Sequence, residues 1–245
     1  MLNELKKARD IYLPNCPEWF EGSLGKVQLE QIECFFARLR ERNKELNLTA
    51  RDSLEELAIL HFLDSLYILN MLPKQHSLNY LDLGTGAGIP GVILKILLPN
   101  YKTVLIDARQ KRLKFLDEVI AELALQEIIT VHGRFEDLAH EAEFRGEFQV
   151  VTARAVAELP VLLEYAAGFL ARDGVFLGQK GSQAQAELAE AQGAMRKLNL
   201  SLLENFEFTL PVAEAKRAIL KFALVANLAK KYPRSAAQIQ KAKLI

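Results

Sequence analysis

Four glycines and an aspartate lie within the segment Leu81–Gly91, LDLGTGAGIPG. From Gly86 onward the segment reads G-A-G-I-P-G, which matches the G-x-G-x-x-G fingerprint of dinucleotide-binding loops. Glycines at this spacing allow the backbone to turn tightly and to approach a bound molecule without Cβ atoms in the way. We therefore predict a cofactor loop that contains Gly84, Gly86 and Gly88; the alternative is a plain strand-to-helix turn, which needs fewer glycines.

Two acidic residues help to choose between cofactors. Asp82 stands two residues before Gly84, giving D-x-G-x-G, and Asp107 follows later in the chain. A carboxylate directed at the loop repels a pyrophosphate but suits an ammonium group. S-adenosylmethionine carries an ammonium, a sulfonium and no phosphate, so Asp82 favours it over NAD. An acid at the position of Asp107 binds ribose hydroxyls, which both cofactors offer, or caps the helix that begins after Arg109.

A third acidic position follows the next strand, in the segment GRFEDL. Methyltransferases with this alternation of strands and helices often place a polar residue here beside the adenine, with an apolar neighbour against the ring. Phe135 and Glu136 fit those two roles, although a polar loop that opens a helical turn explains them equally well. Asp82, Asp107 and Glu136 follow three successive strands in the order in which an adenosyl ligand meets them.

The fourth strand ends in Thr152-Ala153-Arg154-Ala155. The Asn/Asp-Pro-Pro-aromatic motif of amino-group methyltransferases is absent from this place, and the two cysteines, Cys16 and Cys34, lie far away in the N-terminal region. The sequence therefore lacks the residues that exocyclic amine methylation and covalent C5 methylation normally use. Guanine N7 carries a free lone pair and no proton, so its methylation needs positioning and an electrostatic field rather than a general base. We expect Arg154 to supply them by pairing with the methionyl carboxylate or an RNA phosphate; the alternative is a structural salt bridge.

The elements that must position these residues follow from hydrophobic periodicity. From Asn79 onward, apolar runs alternate with helical patterns, which predicts an α/β fold with a doubly wound, mostly parallel sheet of the Rossmann-like type. The last two runs follow each other without a helix, which predicts an antiparallel hairpin at the sheet edge. The expected units are an N-terminal helical extension (1–75), the Rossmann-like domain (76–228) and a basic tail (229–245).

Composition limits the other possibilities. The chain has 245 residues and a formal net charge of zero, and it contains neither an apolar run of transmembrane length nor a secretory signal. Two cysteines are too few for a disulfide framework, and no metal site is expected. These features predict a cytoplasmic protein, and we expect a monomer.

Local clusters of basic residues are candidates for RNA contacts. One cluster, Arg109, Lys111 and Arg112, follows the second strand, and the tail adds Lys230, Lys231 and Arg234. Phosphate contacts supply most of the non-specific affinity for RNA, and Tyr232 beside the tail cluster is a candidate to stack on a base. The alternatives are a solvated tail and an ordinary charged helix face.

The N-terminal region contributes one further polar group. His61, Asp64 and Ser65 share a helix face by their spacing. Because N7 methylation requires no base, we interpret His61 and Asp64 as a hydrogen-bonded pair that joins the extension to the sheet.

Taken together, these segments resemble a known family, the bacterial small-subunit ribosomal RNA guanine-N7 methyltransferases, also called glucose-inhibited division protein B. The likeness covers nearly the whole chain and rests on NLT (47–49), HFLDS (61–65), DLGTGAGIPG (82–91), IDARQKR (106–112), RFEDL (134–138) and TARA (152–155). The resemblance implies that S-adenosylmethionine is used to methylate N7 of a guanine in 16S ribosomal RNA or a small-subunit particle. It also implies the class I methyltransferase fold and cofactor contacts at Gly84, Ile89, Phe135, Glu136 and Arg154, and it allows His61 and Asp64 a part in shaping the RNA pocket.

Two other functions stay open on the residues alone. A small-molecule methyltransferase would use the same cofactor but would enclose its methyl site and would lack a basic surface beside it. An NAD-dependent oxidoreductase is suggested by the G-A-G-I-P-G match alone.

Overall fold

The strand-and-helix alternation that begins at Asn79 forms a seven-stranded sheet in the computed structural model, which describes residues 1–18, 20 and 24–244. Residues 19, 21–23 and 245, which belong to the predicted extension and tail, lie outside the described part. The strands are β1 (Asn79–Leu83), β2 (Lys102–Asp107), β3 (Ile128–His132), β4 (Phe148–Arg154), β5 (Leu170–Lys180), β6 (Leu200–Leu210) and β7 (Ala215–Leu224).

The sheet has the order β3-β2-β1-β4-β5-β7-β6. Strands β1 to β5 are parallel to one another, whereas β7 runs antiparallel to both β5 and β6. The predicted doubly wound, mostly parallel sheet and its terminal hairpin are therefore confirmed. The strand order reverses direction at β1, so the carboxyl ends of β1 and β4 border the crevice where ligands bind in open α/β sheets.

Helices cover both faces of the sheet. They are α1 (Leu2–Tyr12), α2 (Lys26–Leu46), α3 (Leu54–Glu56), α4 (Asp64–Leu66), α5 (Gly91–Leu97), α6 (Gln110–Glu122), α7 (Phe135–Leu138), α8 (Leu159–Ala167), α9 (Ala184–Glu190), α10 (Gln192–Leu198) and α11 (Ala236–Lys241). One hydrophobic cluster joins α1, α2, α5 and α6 to one face of the sheet, and a second joins α8 and α10 to the other.

The N-terminal extension packs directly on the sheet. Leu5, Ile32 and Phe62 belong to the same buried cluster as Leu105 and Val150, which are sheet residues. The extension and the Rossmann-like domain therefore share one hydrophobic core, and the extension forms a wall above the ends of the central strands.

A π-helical turn (Leu57–Leu63) separates α3 from α4 within the extension. Upstream of it, Ser53 and Glu56 form the capping box that their spacing predicts. Single π-helical turns inserted in a helix frequently occur at functional sites, because they release backbone carbonyls from the regular hydrogen-bond ladder. This turn carries His61 and ends next to Asp64.

Several elements differ in extent from the sequence expectation, which places the fifth strand at 174–178, a helix at 183–198 and the sixth strand at 206–210; β6 begins at Leu200. Strand β5 extends to Lys180, two residues beyond the predicted end, because Gln179 and Lys180 still pair with β7. The helix predicted over 183–198 divides at Ala191 into α9 and α10.

The tail returns along the outer side of α8. Tyr232 and Leu244 are buried in the cluster formed by α8 and the sheet, and Arg234 pairs with Glu164 of α8. Further on, Lys243 forms an ion pair with Glu158 at the start of α8. The tail therefore runs antiparallel to α8, and its end approaches the carboxyl edge of the sheet.

Candidate functional site

The glycine loop connects β1 to α5 at the carboxyl edge of the sheet. Gly84, Gly86 and Gly88 have φ values of +68°, +58° and +87°, a left-handed conformation that side-chain-bearing residues rarely adopt. A Cβ atom at Gly84 would lie 2.7 Å from Val156 Cγ2, so a side chain at Gly84 would also clash with the loop after β4. The glycines therefore produce the narrow, backbone-lined turn that the sequence predicts.

Asp82 points into the loop from below. Its side chain is 1% exposed, and it accepts hydrogen bonds from the Gly91 N–H at 3.1 Å and from the Thr152 hydroxyl at 2.9 Å. Burial raises the pKa of Asp82 to about 6, although those hydrogen bonds favour its ionised form. The carboxylate thus fixes the loop and the start of α5 from within the protein.

Asp107 closes the other side of the loop. Its Oδ2 accepts a hydrogen bond from the Gly86 N–H at 3.0 Å, and its Oδ1 accepts one from the Arg109 N–H at 2.8 Å. The Arg112 guanidinium also donates to Oδ2 at 3.3 Å. Asp107 therefore links β2 to the glycine loop, and Arg112 lies over the point where the two meet.

Three loops converge on Gly84. The Phe135 ring lies 3.4 Å from the position of a Gly84 Cβ atom, and Val156 lies closer still. Glu136 follows at the start of α7 and is 8% exposed, whereas Ile89, on the α5 side, is 5% exposed and packs into the core. The loops after β1, β3 and β4 thus meet at Gly84. A single ligand could contact the predicted cofactor residues only if these loops lie together.

A polar cleft of ≈ 1090 Å³ adjoins this loop. It lies at the carboxyl ends of β4 and β5, between the extension, the segment after Arg154 and the tip of the β6–β7 hairpin. The residues that line it include Arg51, Leu60, His61, Asp64, Arg154, Val156, Glu158, Gln179, Lys180, Glu187 and Arg217. Val156 belongs to both places, so the glycine loop and the cleft share a wall.

Arg154 lies where the cleft meets the π-helical turn. Its guanidinium donates to the Leu60 carbonyl at 3.2 Å and contacts His61 Nδ1 at 3.2 Å. It also forms an ion pair with Asp64 Oδ2 at 3.6 Å. Burial lowers the pKa of Arg154, and the charges of Asp64 and Asp82 oppose that change.

His61 is neutral in this arrangement. Burial, and next the charge of Arg154, lower the pKa of His61 to about 4. Because Nδ1 faces a guanidinium donor, the ring proton belongs on Nε2, which lies 3.1 Å from the Arg51 carbonyl and 3.2 Å from the Thr49 hydroxyl. The expected His61–Asp64 pair therefore takes another form, since the two side chains meet on Arg154 of β4 and join the extension to the sheet through it.

Asp64 is shared by two arginines. Arg217, on β7, approaches its Oδ2 at 3.5 Å, and Arg154 approaches the same oxygen. Asp64 is 4% exposed, and burial raises its pKa while the two guanidinium groups oppose the rise. Its Oδ1 has no hydrogen-bond partner within residues 1–18, 20 and 24–244.

The two predicted RNA clusters occupy different edges of the sheet. Arg109 and Lys111 are exposed at the start of α6, on the same edge as the glycine loop. Lys230 instead lines a second cavity of ≈ 610 Å³ beside Gly168 and Asp173, at the amino ends of the strands, which is the opposite edge.

Three residues of the tail differ in exposure. Lys231 is exposed, with its ammonium group 5.1 Å from the centre of the Tyr232 ring. The expectation that Tyr232 stacks on a base is wrong, because its side chain is 6% exposed and packs in the core. Arg234 is bound by its side chain and its backbone N–H to Glu164.

Several cleft residues were missed from the sequence. Gln179, Lys180 and Arg217 were not among the predicted site residues, although they lie on β5 and β7 and line the cleft. A signal for the first two was present, since the polar pair follows the apolar run Val175–Leu177, and ligands gather where parallel strands end. Arg217 offered no such signal, because β7 runs antiparallel to β5 and Arg217 therefore lies near the start of its strand, not at its end.

The described residues hold neither a membrane-spanning helix nor a metal-binding cluster. Among the described helices none has the length and apolarity needed to cross a membrane. Within the described ranges, no three His, Cys, Asp or Glu side chains are grouped so as to hold a metal ion.

Solved structures resemble the fold. Fibrillarin from Methanococcus jannaschii, a pre-rRNA processing protein, matches 64% of this chain and 70% of its own with a TM-score of 0.51 and 14% identity. TrmN from Thermus thermophilus matches 67% of this chain and 49% of its own with a TM-score of 0.50 and 16% identity. At such identities the likeness concerns the fold alone, and it confirms the predicted class I methyltransferase architecture.

Sequence relatives are much closer. A protein of Desulfitobacterium hafniense (strain Y51) named ribosomal RNA small subunit methyltransferase G is 42% identical over 87% of this chain and 88% of its own. A protein of the same name from Thermoanaerobacter sp. (strain X514) is 36% identical over 97% of this chain and 99% of its own. The family model described as rRNA small subunit methyltransferase G, GidB, matches residues 28–214, which include the glycine loop, Asp64 and Arg154. With the loop, the cleft and these relatives in agreement, the chain belongs to the ribosomal RNA small subunit methyltransferase G family.

Proposed function

We propose that this protein transfers a methyl group from S-adenosylmethionine to N7 of a guanine in 16S ribosomal RNA. Its family supplies the class of substrate. The structural observation that carries the proposal is the position of Val156, which covers Gly84 on one side and lines the polar cleft on the other. A cofactor loop and a substrate cleft that share a wall bring a donor and an acceptor together.

The residues around the glycine loop fit S-adenosylmethionine. At Gly86 a Cβ atom would meet nothing closer than 3.7 Å, so the backbone there is open to a ligand, and the Asp107 carboxylate for ribose hydroxyls lies beside it. Phe135 contacts the same place with an apolar ring. Asp82 acts indirectly, because it accepts a hydrogen bond from the Gly91 N–H and thereby fixes the loop. Gly88, Ile89 and Glu136 complete the proposed cofactor residues.

The chemistry suits a site without a general base. When bound, S-adenosylmethionine would supply a sulfonium methyl for the N7 lone pair, and the C–S electron pair would remain on sulfur. No proton leaves N7, and the neutral His61 is held by Arg154 instead of being free as a base. We assign Arg154 the positioning of the methionyl carboxylate, because a guanidinium at the end of β4 reaches both the loop wall and the cleft.

RNA is proposed to approach over the carboxyl edge of the sheet. Arg109, Lys111 and Arg112 flank the glycine loop on that edge, whereas Lys180 and Arg217 within the cleft are paired with Glu187 and Asp64. The tail lysines, Lys230 and Lys231, are given a minor part, and Arg234 a structural one. We infer that the protein acts as a monomer in the bacterial cytoplasm, where its substrate is found.

The two other functions fit less well. A small-molecule methyltransferase would lack a basic surface beside its acceptor site, whereas Arg109 and Lys111 are exposed on the edge that carries the glycine loop. An NAD-dependent oxidoreductase is not supported by the family, and NADH binding without S-adenosylmethionine binding in calorimetric titration would favour it.

Labelled S-adenosylmethionine tests the proposed reaction. The protein is incubated with small ribosomal subunits from a strain that lacks this methylation, and the labelled nucleotide is mapped. We expect one labelled 7-methylguanosine in 16S RNA. Label on an exocyclic amine, or none in 16S RNA, would contradict the proposal.

A pair of glycine variants tests the cofactor loop. Gly86 and Gly146 both have positive φ, and a Cβ atom at either would find no atom closer than 3.7 Å, but Gly146 lies on the opposite edge of the sheet. Gly86→Ala and Gly146→Ala should therefore cost similar backbone strain, of about 1 kcal/mol. We expect only Gly86→Ala to weaken S-adenosylmethionine binding, by about tenfold or more in calorimetry, a loss of ~1.4 kcal/mol. Equal affinities would place the cofactor elsewhere.

A further inference from the structure

One carboxylate oxygen in the cleft lacks a donor. Asp64 is 4% exposed, its Oδ2 is shared by Arg154 and Arg217 at 3.6 and 3.5 Å, and its Oδ1 has no hydrogen bond from any described residue. A buried polar atom without a partner costs about 1–3 kcal/mol, and more when it is charged. Such atoms are rare in native proteins and are explained by a catalytic role, by stored strain or by a bound water or ion.

A second unpartnered group lies next to it in the fold. Gln179 is 7% exposed, and neither its Oε1 nor its Nε2 has a hydrogen-bond partner in the described part of the chain. It is the register partner of Arg154 in the β4–β5 pair, and Arg154 contacts Asp64. Arg154 is thus flanked by two buried side chains that line one cleft and have free hydrogen-bonding capacity.

The free groups match one nucleobase edge. Guanine carries N1–H and N2–H donors side by side, with O6 next to them. A carboxylate oxygen only accepts, so it suits those donors, whereas the N1 of adenine is itself an acceptor and would be repelled. An amide such as that of Gln179 offers a donor for O6. Enzymes that modify a base commonly hold it in a pocket by its Watson–Crick edge.

We propose that Asp64 Oδ1 accepts a hydrogen bond from N1–H or N2–H of the target guanine and thereby recognises the base and stabilises its methylated form. This inference rests on the proposed function and names the residue that selects guanine within it. N7 lies on the other side of the purine from N1 and N2, so a base held in this way presents N7 away from Asp64.

The charge of Asp64 also contributes to the rate. When N7 gains the methyl group, the positive charge that sulfur loses passes to the purine, whose N1–H becomes a stronger donor. An anion at that edge therefore binds the transition state more tightly than the neutral base, which raises kcat. Arg154 and Arg217 hold this anion in place before the base arrives.

Asp64→Asn tests this role because it keeps the shape and removes the charge. We expect kcat on small subunits to fall by about 100-fold or more. The matched control is Asp10→Asn, which makes the same change at a solvent-exposed carboxylate of α1 that pairs with Arg9 outside the cleft. This control should keep the wild-type kcat.

A binding measurement separates recognition from a structural role. The probes are guanosine 5′-monophosphate and 7-methylguanosine 5′-monophosphate, titrated by nuclear magnetic resonance into the wild-type and Asp64→Asn proteins. Wild type should bind the cationic 7-methyl nucleotide about tenfold more tightly than the neutral one, as a charge-assisted hydrogen bond implies. Asp64→Asn should lose that preference. An equal loss of affinity for both nucleotides, or an unchanged preference, would overturn the proposal.

The outcome for the proposed function is independent. If the wild-type protein methylates N7 in 16S RNA and Asp64→Asn retains its rate and its nucleotide preference, only the role of Asp64 fails. If the wild-type protein labels no guanine N7, the proposed function fails first, whatever the variant does.

Discussion

Two buried carboxylates of this protein are each paired with arginine, and the pairs differ in completeness. Glu164 is 1% exposed and receives hydrogen bonds from the backbone N–H, Nε and Nη2 of Arg234 at 2.8–2.9 Å, so that both of its oxygens are used. Asp64 is 4% exposed, but Arg154 and Arg217 approach only one of its oxygens, at 3.6 and 3.5 Å. The first pair fastens the tail to α8, and the second leaves an acceptor free in the cleft.

The difference separates stability from function. A buried pair with every hydrogen bond made resists change, because removal of one partner exposes the other to an apolar surrounding. A pair with an unused carboxylate oxygen keeps a hydrogen-bond acceptor for a ligand. Sequence alone ranked Arg234 with the RNA-binding residues and Asp64 with the structural ones, which is the reverse of what their contacts favour.

The largest expected effect is on stability, at Arg234→Ala. This change leaves Glu164 buried without its partner, so the free energy of unfolding should fall by about 3–5 kcal/mol in urea titrations. Methylation well below the melting temperature should persist. The control Lys243→Ala breaks a solvent-exposed ion pair of the same tail and should cost at most about 1 kcal/mol. Loss of RNA methylation with normal stability would instead restore the RNA-binding hypothesis for Arg234.

At the other pair, Arg154→Met should act on catalysis. Loss of the guanidinium should lower kcat/KM by about 100-fold or more, because it is placed to orient the methionyl carboxylate. The unfolding free energy should change less than in Arg234→Ala, since Asp64 keeps Arg217. Steady-state kinetics and urea titration of the same preparation measure both quantities. An active but unstable variant would make Arg154 a second structural arginine.

The pH response should also distinguish the two pairs. The pKa of His61, which contacts Arg154, is about 4 in the folded protein and about 6.5 when exposed, so folding favours the neutral ring. Its contribution to stability is present above pH 6.5 and is lost as pH falls through 4, which amounts to about 3 kcal/mol. In His61→Asn, whose amide oxygen takes the place of Nδ1 as an acceptor, stability should fall less between pH 6.5 and 4. Equal slopes for both proteins in urea titrations over this range would show that His61 does not carry this effect.

The smallest expected effects concern exposed cations on the two edges. Arg109→Ala with Lys111→Ala should weaken binding to small subunits and reduce the salt dependence of log K by about 0.7 for each lost contact to single-stranded RNA. Lys230→Ala with Lys231→Ala removes the same charge from the edge opposite the cleft and should change both quantities less. A larger effect of the tail pair would move the RNA path to that edge.

Local patterns carried much of the fold. The hydrophobic alternation after Asn79 predicted the parallel strands and the closing hairpin, because buried strands and amphipathic helices differ in period. The capping box at Ser53 was also visible, since all its parts lie within four residues. The extent of β5 was not visible in the sequence. Gln179 and Lys180 are polar, and they belong to β5 because they pair with β7, a contact that only the folded hairpin creates.

The sequence by itself determined the glycine loop and its acids, because each lies at the end of its own strand and parallel strands bring those ends together. It also determined the family, through motifs that keep their order and spacing. Only the tertiary structure decided which charges are satisfied. Asp64, Arg154 and Arg217 come from the extension, β4 and β7, and Glu164 meets Arg234 across 70 residues of chain. Pairing energies depend on distance and burial, which a linear sequence does not contain.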